Sequence, residues 1–162
     1  MGHDERGFSL IELLIVVAII LIIAAIAIPN FMRSRVAANQ ASAIESIRVI
    51  GTGEVTYSTT YGTGYSTSLA YLGPPASGQP ISSTAAGLVD ETLAAGGKSG
   101  YVFVYTATQF NAATQTWNGF TLNVNPAAFG QSGGVYYYMD QSFVIHANST
   151  TSASSTDMAV GD

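Results

Sequence analysis

The residue whose position most clearly suggests a chemical role is Glu12, a carboxylate at the edge of an otherwise apolar segment. Residues 13–28 are apolar without interruption, and no charged residue lies between Glu12 and Arg33. If this apolar segment lies in a membrane, a carboxylate at its edge is energetically costly unless a positive group pairs with it. Cleavage between Gly7 and Phe8 would supply that group, because it would leave a free α-amine on Phe8, four residues before Glu12. In a bundle of identical helices, Glu12 of one copy could then neutralise the Phe8 amine of the next. The alternative is that Glu12 lies at the headgroup level of a membrane without a special role.

Two further patterns look catalytic but predict no catalysis. Residues 130–134 have the G-x-S-x-G pattern of a nucleophile elbow, which requires a strand before it and a helix after it. Here Pro126 and two alanines precede the pattern and a β-rich run follows, so a hairpin loop is predicted. His146 lies on a predicted strand and is expected to be a surface residue rather than a general base. The sequence therefore predicts that the protein is not an enzyme.

The composition narrows the possible classes of protein further. The chain has 162 residues, of which 48% are hydrophobic and 9% are charged, with a formal net charge of -5. The low charged share indicates a protein that enters a membrane or covers much of its surface with partners. The acidic balance disfavours direct nucleic-acid binding through phosphate neutralisation. The absence of cysteine excludes disulfides and thiolate metal sites. A weak glycosylation sequon is formed by Asn148, Ser149 and Thr150.

The element that must position Glu12 is a long helix. As an α-helix, Leu10 to Met32 would span roughly 34 Å, enough to cross the apolar core of a bilayer. Pro29 removes one backbone N–H and clashes with the preceding turn, so the helix should bend or open locally. The helix is expected to end between Tyr57 and Tyr61 and to pack its outer half on a sheet. Its predicted packing stripe recurs every three to four residues, with one step of five, and consists of Val36, Gln40, Ala43, Ile44, Ile47, Ile50 and Val55.

The remaining residues predict a connection, a sheet and a tail. The connection, residues 61–100, is rich in Gly, Ser, Thr, Ala and Pro, and we expect it to be exposed. It is predicted to hold one short helix over 85–95, capped by Ser83 or Thr84. The low complexity of residues 147–162 predicts a mobile tail. An antiparallel meander is predicted from strand signals at 101–105, 120–124, 135–139 and 143–146, with a tight turn at 140–142.

The segment Gly7-Phe8-Ser9-Leu10-Ile11-Glu12, followed by the apolar run and Pro29, resembles the class III signal of type IV prepilins and related pseudopilins. The resemblance covers residues 6–40 closely. More weakly, residues 61–65 and 138–145 are similar to cysteine-free proteins of the pilin and G-type pseudopilin group. The resemblance implies an α+β type IV pilin fold. In that fold, the outer half of a long N-terminal helix packs on an antiparallel sheet of about three to four strands.

The same resemblance implies processing and a division of the chain. It implies cleavage after Gly7, N-methylation of Phe8, subunit docking through Glu12 and Phe8, and a helix kink at Pro29. The leader carries only Arg6 as a basic residue, which departs from the usual Lys/Arg-rich pattern. The implied segments are a leader (1–7), a transmembrane and filament-core helix (8–32), its amphipathic continuation (33–60), a connecting region (61–100), the sheet of the globular head (101–146) and a tail (147–162).

The function implied by the resemblance is that of a structural subunit that polymerises into a type IV pilus filament. The precursor would lie in the inner membrane, and the assembled filament would lie on the cell surface. The implied partners are further copies of the chain, a prepilin peptidase that also methylates, the inner-membrane assembly machinery and the lipid bilayer. A pseudopilin of a type II secretion system and a bitopic membrane-anchored binding protein are the alternatives. No cofactor is expected, although similarity to calcium-binding G-type pseudopilins makes Asp140, Asp157 and Asp162 weak calcium candidates.

Overall fold

The computed structural model describes residues 8–161. The chain divides into two compact units, the first ending at Arg35 and the second beginning at Val36. One α-helix, α1 (Leu10–Tyr61), contributes to both units and ends within the predicted range. The second unit, the head, adds a six-stranded antiparallel sheet. The predicted α+β class and the antiparallel sheet are confirmed, and the sheet has more strands than the three to four that were expected.

In the head, α1 supplies one side of the core. Ala43, Ile47 and Ile50 are fully buried, as their spacing of three to four residues predicts. The stripe then departs from the prediction, because Val55 is 46% exposed while Glu54 and Tyr57 are buried. Gly51 is buried as well, and a Cβ at this position would lie 3.3 Å from Phe143 and 3.4 Å from Met139, so α1 approaches this part of the sheet closely.

The connection after α1 is more ordered than its composition indicates. A 3₁₀ helix (Leu69–Leu72) follows the cap residue Ser68, and α2 (Glu91–Ala94) follows the cap residue Asp90. The predicted helix over 85–95 is therefore too long, and Ser83 and Thr84 do not cap it. Asp90 replaces them because its side chain accepts a hydrogen bond from the Leu93 amide. The expectation that the connection is exposed is corrected as well, since its buried apolar side chains are Leu69, Leu72, Ala86, Val89 and Leu93.

The sheet is a meander in which every strand pairs with its sequence neighbours. Two long strands form its centre, and their inward-facing Tyr101, Phe103, Phe120, Leu122 and Val124 are buried. Alternation along each strand places these side chains on the face that meets α1. The strands are β1 (Gly97–Lys98), β2 (Tyr101–Asn111), β3 (Thr116–Pro126), β4 (Tyr136–Asp140), β5 (His146–Asn148) and β6 (Met158–Ala159).

The end of the chain corrects two predictions. The predicted strand over 143–146 is wrong, since Phe143 has a positive φ of 60° and β5 begins only at His146. Residues 147–161 do not form an unpaired tail, because they complete β5, form β6 and bury Ala153.

Hydrogen bonds to Asp157 hold this C-terminal segment in place. Its carboxylate accepts from Asn148 Nδ2 at 2.8 Å and from the Ser154 amide at 2.7 Å, while its carbonyl lies 2.7 Å from His146 Nδ1. We call this set of contacts the Asp157 latch. A Ser/Thr-rich composition gives no indication of the latch, because one carboxylate organises residues that are otherwise typical of a loop.

Candidate functional site

The candidate site is the start of α1, where the sequence predicts processing and docking. Glu12 lies in the first helical turn, and its carboxylate accepts a hydrogen bond from the Ser9 amide at 2.9 Å. The Leu13 amide donates to the Ser9 carbonyl at 3.2 Å, which closes the first turn. A carboxylate at this position satisfies an otherwise unpaired amide and interacts favourably with the helix dipole. The Ser9-x-x-Glu12 spacing is a capping-box signal in the sequence, and our sequence analysis missed it.

Of the two residues that form the predicted cleavage bond, only Phe8 lies in the part of the chain that the structure describes. Phe8 precedes the helix and its side chain is 76% exposed. Gly7 and the rest of the leader, residues 1–7, lie outside the described residues, as does Asp162. Cleavage after Gly7, methylation of Phe8 and pairing of the Phe8 amine with Glu12 therefore stay predictions.

The helix that follows is apolar on every side. Between Leu10 and Met32 the large apolar side chains are exposed, from 36% at Met32 to 75% at Leu10. By length and composition, α1 contains a segment suited to crossing a membrane, and its most apolar window has none of its residues buried. An exposed apolar surface of this extent marks a segment that lipid or another protein covers.

Pro29 lies inside α1, and the residues on both sides of it are helical. Proline at an interior position leaves the carbonyl one turn earlier, that of Ala25, without its usual amide donor. The helix continues through this gap without a melted stretch in the isolated chain. The predicted kink at Pro29 stays a prediction for the assembled state.

The described calcium candidates have their carboxylates engaged by protein donors. Asp140 accepts from the Ser142 amide at 2.8 Å and from Tyr138 Oη at 3.4 Å. Partial burial acts to raise the pKa of Asp140, but these hydrogen bonds lower it below its ordinary value. Hydrogen bonds from the Ser154 amide and hydroxyl, and from Asn148, lower the pKa of Asp157. Within residues 8–161, no group of three or more His, Cys, Asp or Glu side chains is arranged to hold a metal ion.

The predicted glycosylation sequon lies in and directly after β5. Asn148 Nδ2, the atom that would carry an N-linked sugar, donates to Asp157, and Asn148 Oδ1 accepts from the Thr150 and Thr151 amides. N-glycosylation of the folded chain would therefore break the Asp157 latch. Ser149 and Thr150 are exposed, and their modification stays a prediction.

The G-x-S-x-G pattern forms a loop and not a nucleophile elbow. Ser132 Oγ hydrogen-bonds the backbone of Ala128, accepting from its amide at 3.0 Å and lying 3.1 Å from its carbonyl. The Asn39 amide group of α1 donates to the Ser132 carbonyl at 2.8 Å. These contacts fix the loop between β3 and β4 against α1, which is a structural role.

Comparison with known proteins shows what the N-terminal part of the chain is similar to. Residues 2–28 match the family described as the prokaryotic N-terminal methylation motif. The chain is 48% identical over 53 residues to the type IV major pilin protein PilA of Myxococcus xanthus strain DK1622. That alignment covers 33% of this chain and 24% of the relative, so the chain matches about a quarter of the relative's length. No solved structure matches the chain at a significant level.

The motif, the curated relative and the α+β fold together support the resemblance to type IV pilins. The chain is similar to type IV pilins, and its N-terminal segment matches the prokaryotic N-terminal methylation motif.

Proposed function

We propose that this protein is a structural subunit of a type IV pilus filament and that its N-terminal helix forms the filament core. The observation that carries the proposal is the exposed apolar part of α1, whose uninterrupted apolar run begins one residue after Glu12. The family match over residues 2–28 and the similarity to a major pilin support it. Assembly, rather than catalysis, is the activity that this arrangement serves.

Two environments can cover the apolar helix, and the proposal uses both in turn. Before assembly the helix lies in the inner membrane, and afterwards it lies among the helices of other copies. Burying one Leu or Ile side chain contributes roughly 1.5–3 kcal/mol relative to water, so a filament outside the cell is held strongly by this surface. Lipid is as apolar as the bundle, so leaving the membrane gains little by itself. An assembly machinery in the inner membrane is therefore part of the proposal.

Glu12 would set the position of each new subunit along the filament. Cleavage after Gly7 and methylation of the new terminus would place a positive amine on Phe8. Since Glu12 bonds the Ser9 amide in the isolated chain, its carboxylate already lies near the new terminus. In the filament it would pair with the Phe8 amine of a neighbouring copy, because a register that leaves either charge buried and unpaired is costly.

The proposal is tested by Glu12→Ala in the producing cell. Breaking a buried ion pair costs about 3–5 kcal/mol, so surface filaments should fall by roughly a hundredfold or more while leader cleavage continues. Filaments are counted by electron microscopy, and the N-terminus is read by mass spectrometry. Glu45→Ala is the matched control, because Glu45 is an exposed glutamate on the same helix.

Three outcomes would contradict parts of the proposal. Abundant normal filaments in Glu12→Ala would exclude the docking role. A mature chain that begins at Met1 and stays solitary in lipid would indicate a bitopic anchored protein instead. Loss of protein secretion without loss of surface fibres, after deletion of the whole gene, would indicate a secretion pseudopilin.

A further inference from the structure

The head contains one buried acid that the filament proposal does not use. Glu54 lies in the last part of α1 and is fully buried. Its two carboxyl oxygens contact a single residue of the following connection: Oε2 accepts from the Ser66 amide at 2.9 Å, and Oε1 lies 2.5 Å from Ser66 Oγ. The Ser66 carbonyl accepts from Tyr105 Oη of β2 at 2.9 Å. Glu54 therefore joins three elements: α1, the connection and the sheet.

No positive charge neutralises this acid within residues 8–161. The titratable groups that face Glu54 are Tyr57 on α1, Tyr65 in the connection and Tyr105 on β2. All three are neutral phenols at physiological pH, and each has its pKa raised further, chiefly by burial. The salt bridges in this part of the chain join Arg48 to Glu45 and Lys98 to Asp90 instead. An isolated buried carboxylate is strongly disfavoured and takes up a proton.

The hydrogen bonds around Ser66 lead to the same conclusion by counting protons. Ser66 Oγ lies 2.5 Å from Glu54 Oε1 and 3.2 Å from the Ser68 carbonyl oxygen, both in hydrogen-bonding geometry. A serine hydroxyl has one proton and can donate to only one of them. If Glu54 is protonated, it donates to Ser66 Oγ, and Ser66 Oγ donates to the Ser68 carbonyl. Both contacts are then satisfied.

We propose that Glu54 is a neutral, protonated acid in the folded head and that its proton fastens the start of the connection, residues 62–68, to the end of α1. Loss of this proton leaves a buried anion with no partner cation and removes the donor to Ser66 Oγ. Water stabilises that anion when the contact opens, so deprotonation favours opening of the start of the connection away from α1. The head thus contains a proton-dependent fastening that loosens as the pH rises. This inference does not depend on whether the chain assembles into filaments.

The sign of the pH dependence follows from the direction of the shift. Burial raises the pKa of Glu54 above its ordinary value of 4.5, although hydrogen bonds from Ser66 and Tyr105 oppose the rise. The folded state therefore keeps a proton that the unfolded chain has already released. The stabilisation is complete below pH 4.5 and is lost progressively as the pH rises towards the folded-state pKa. Within that window the unfolding constant rises about tenfold per pH unit from this group.

The test compares the full chain in detergent micelles with Glu54→Gln, which keeps the shape and the hydrogen bonds without a titrating proton. Unfolding is followed by chemical denaturation from pH 4.5 to pH 9. The free energy of unfolding of the wild type should fall as the pH rises through the window. In Glu54→Gln the slope of this free energy against pH should be smaller by the contribution of about one proton. Glu45→Gln, at an exposed position on the same helix, should leave the slope unchanged. Identical slopes in the wild type and Glu54→Gln would overturn the proposal.

A second measurement on the wild type decides the matter even if Glu54→Gln fails to fold. The Ser66 amide donates to Glu54, so its hydrogen exchange, divided by its intrinsic rate, should accelerate with pH inside the window. Infrared spectroscopy should also show the carbonyl band of one carboxyl group that stays protonated above pH 4.5. Corrected exchange at Ser66 that stays constant with pH, or the absence of that band, would show that Glu54 is ionised.

Discussion

The two halves of α1 use the same kinds of apolar residue and reach opposite states of burial. Ile22, in the N-terminal unit, is 64% exposed, whereas Ile47, in the head, is fully buried. Both are helical isoleucines, so neither residue type nor secondary structure explains the difference. The head contains a sheet and a connection that cover one face of its helix, whereas residues 8–35, the described part of the N-terminal unit, add no strand or second helix. Burial is therefore decided by whether the chain itself supplies the complementary surface.

The distribution of apolar residues around the helix reflects this difference. Before Pro29 almost every position is apolar, which suits a segment that is surrounded by lipid or by other helices. In the head, buried positions such as Ala43 and Ile50 alternate with exposed polar ones such as Glu45 and Thr52. A single apolar face suits a helix with one covered side. The N-terminal unit therefore depends on other molecules, and the head depends on its own packing.

The largest effect should come from Phe120→Ala. Phe120 is fully buried and contacts the rings of Tyr65, Tyr105 and Phe143. Removing its ring should lower the free energy of unfolding by about 3–5 kcal/mol, measured by chemical denaturation of the full chain in detergent micelles. Phe31→Ala is the matched control in the N-terminal unit, where Phe31 is 66% exposed. It should change that free energy by less than about 0.5 kcal/mol. Equal losses of unfolding free energy in the two variants would contradict the difference that we describe between the two units.

A smaller loss is expected from Gly133→Ala. A Cβ at Gly133 would overlap the ring of Tyr101, which is buried in the core and donates through its hydroxyl to the Val135 carbonyl at 3.0 Å. Overpacking of this kind costs about 1–3 kcal/mol, again measured by denaturation. Gly134→Ala is the control, because its Cβ would meet only Gln40 at an ordinary 3.7 Å. A larger loss in the control would show that the loop, and not the Tyr101 contact, limits stability.

The smallest global effect should come from Asp157→Ala, which removes the Asp157 latch. We expect faster proteolysis of the C-terminal segment with a reduction in melting temperature smaller than that of Gly133→Ala. The exposed neighbour Ser155→Ala should leave both unchanged. In the wild type the pKa of Asp157 lies below its ordinary value of 3.8. The latch is therefore intact above pH 3.8 and weakens as the pH falls through the lowered pKa. A proteolysis rate that is the same in Asp157→Ala and the wild type would show that β6 holds without the latch.

The central strands were predictable from the sequence, and their ends were not. The alternating runs near Tyr101 and Phe120 mark β2 and β3, yet the strands extend to Asn111 and begin at Thr116. Residues such as Gln109 and Asn118 have little intrinsic preference for strands. They are extended because each strand gives the other a ladder of backbone partners. Cross-strand pairing of this kind is a non-local property.

Residues with a functional or capping role were likewise predictable only where their signal is local in the sequence. The segment from Gly7 to Glu12 carries its signal in consecutive residues, and this signal is sufficient to indicate a resemblance to prepilins. The role of Asp157 depends on Asn148 and Ser154, which the fold brings to it. Asp90 displaces Ser83 and Thr84 as a helix cap because those two residues form a turn that is closed by backbone hydrogen bonds between Ser82 and Ala85, and α2 begins only at Glu91. These roles arise from contacts that a local pattern does not contain.

The amino-acid sequence by itself determined the long apolar helix, its acidic first turn and the order of helix before sheet, because these depend on consecutive or periodic residues. Only the tertiary structure decided that Glu54 is buried and that Val55 is exposed, the reverse of what their polarities indicate. The reason is physical: a carboxyl group enters a core only where distant groups satisfy it, and Ser66 and Tyr105 provide those contacts.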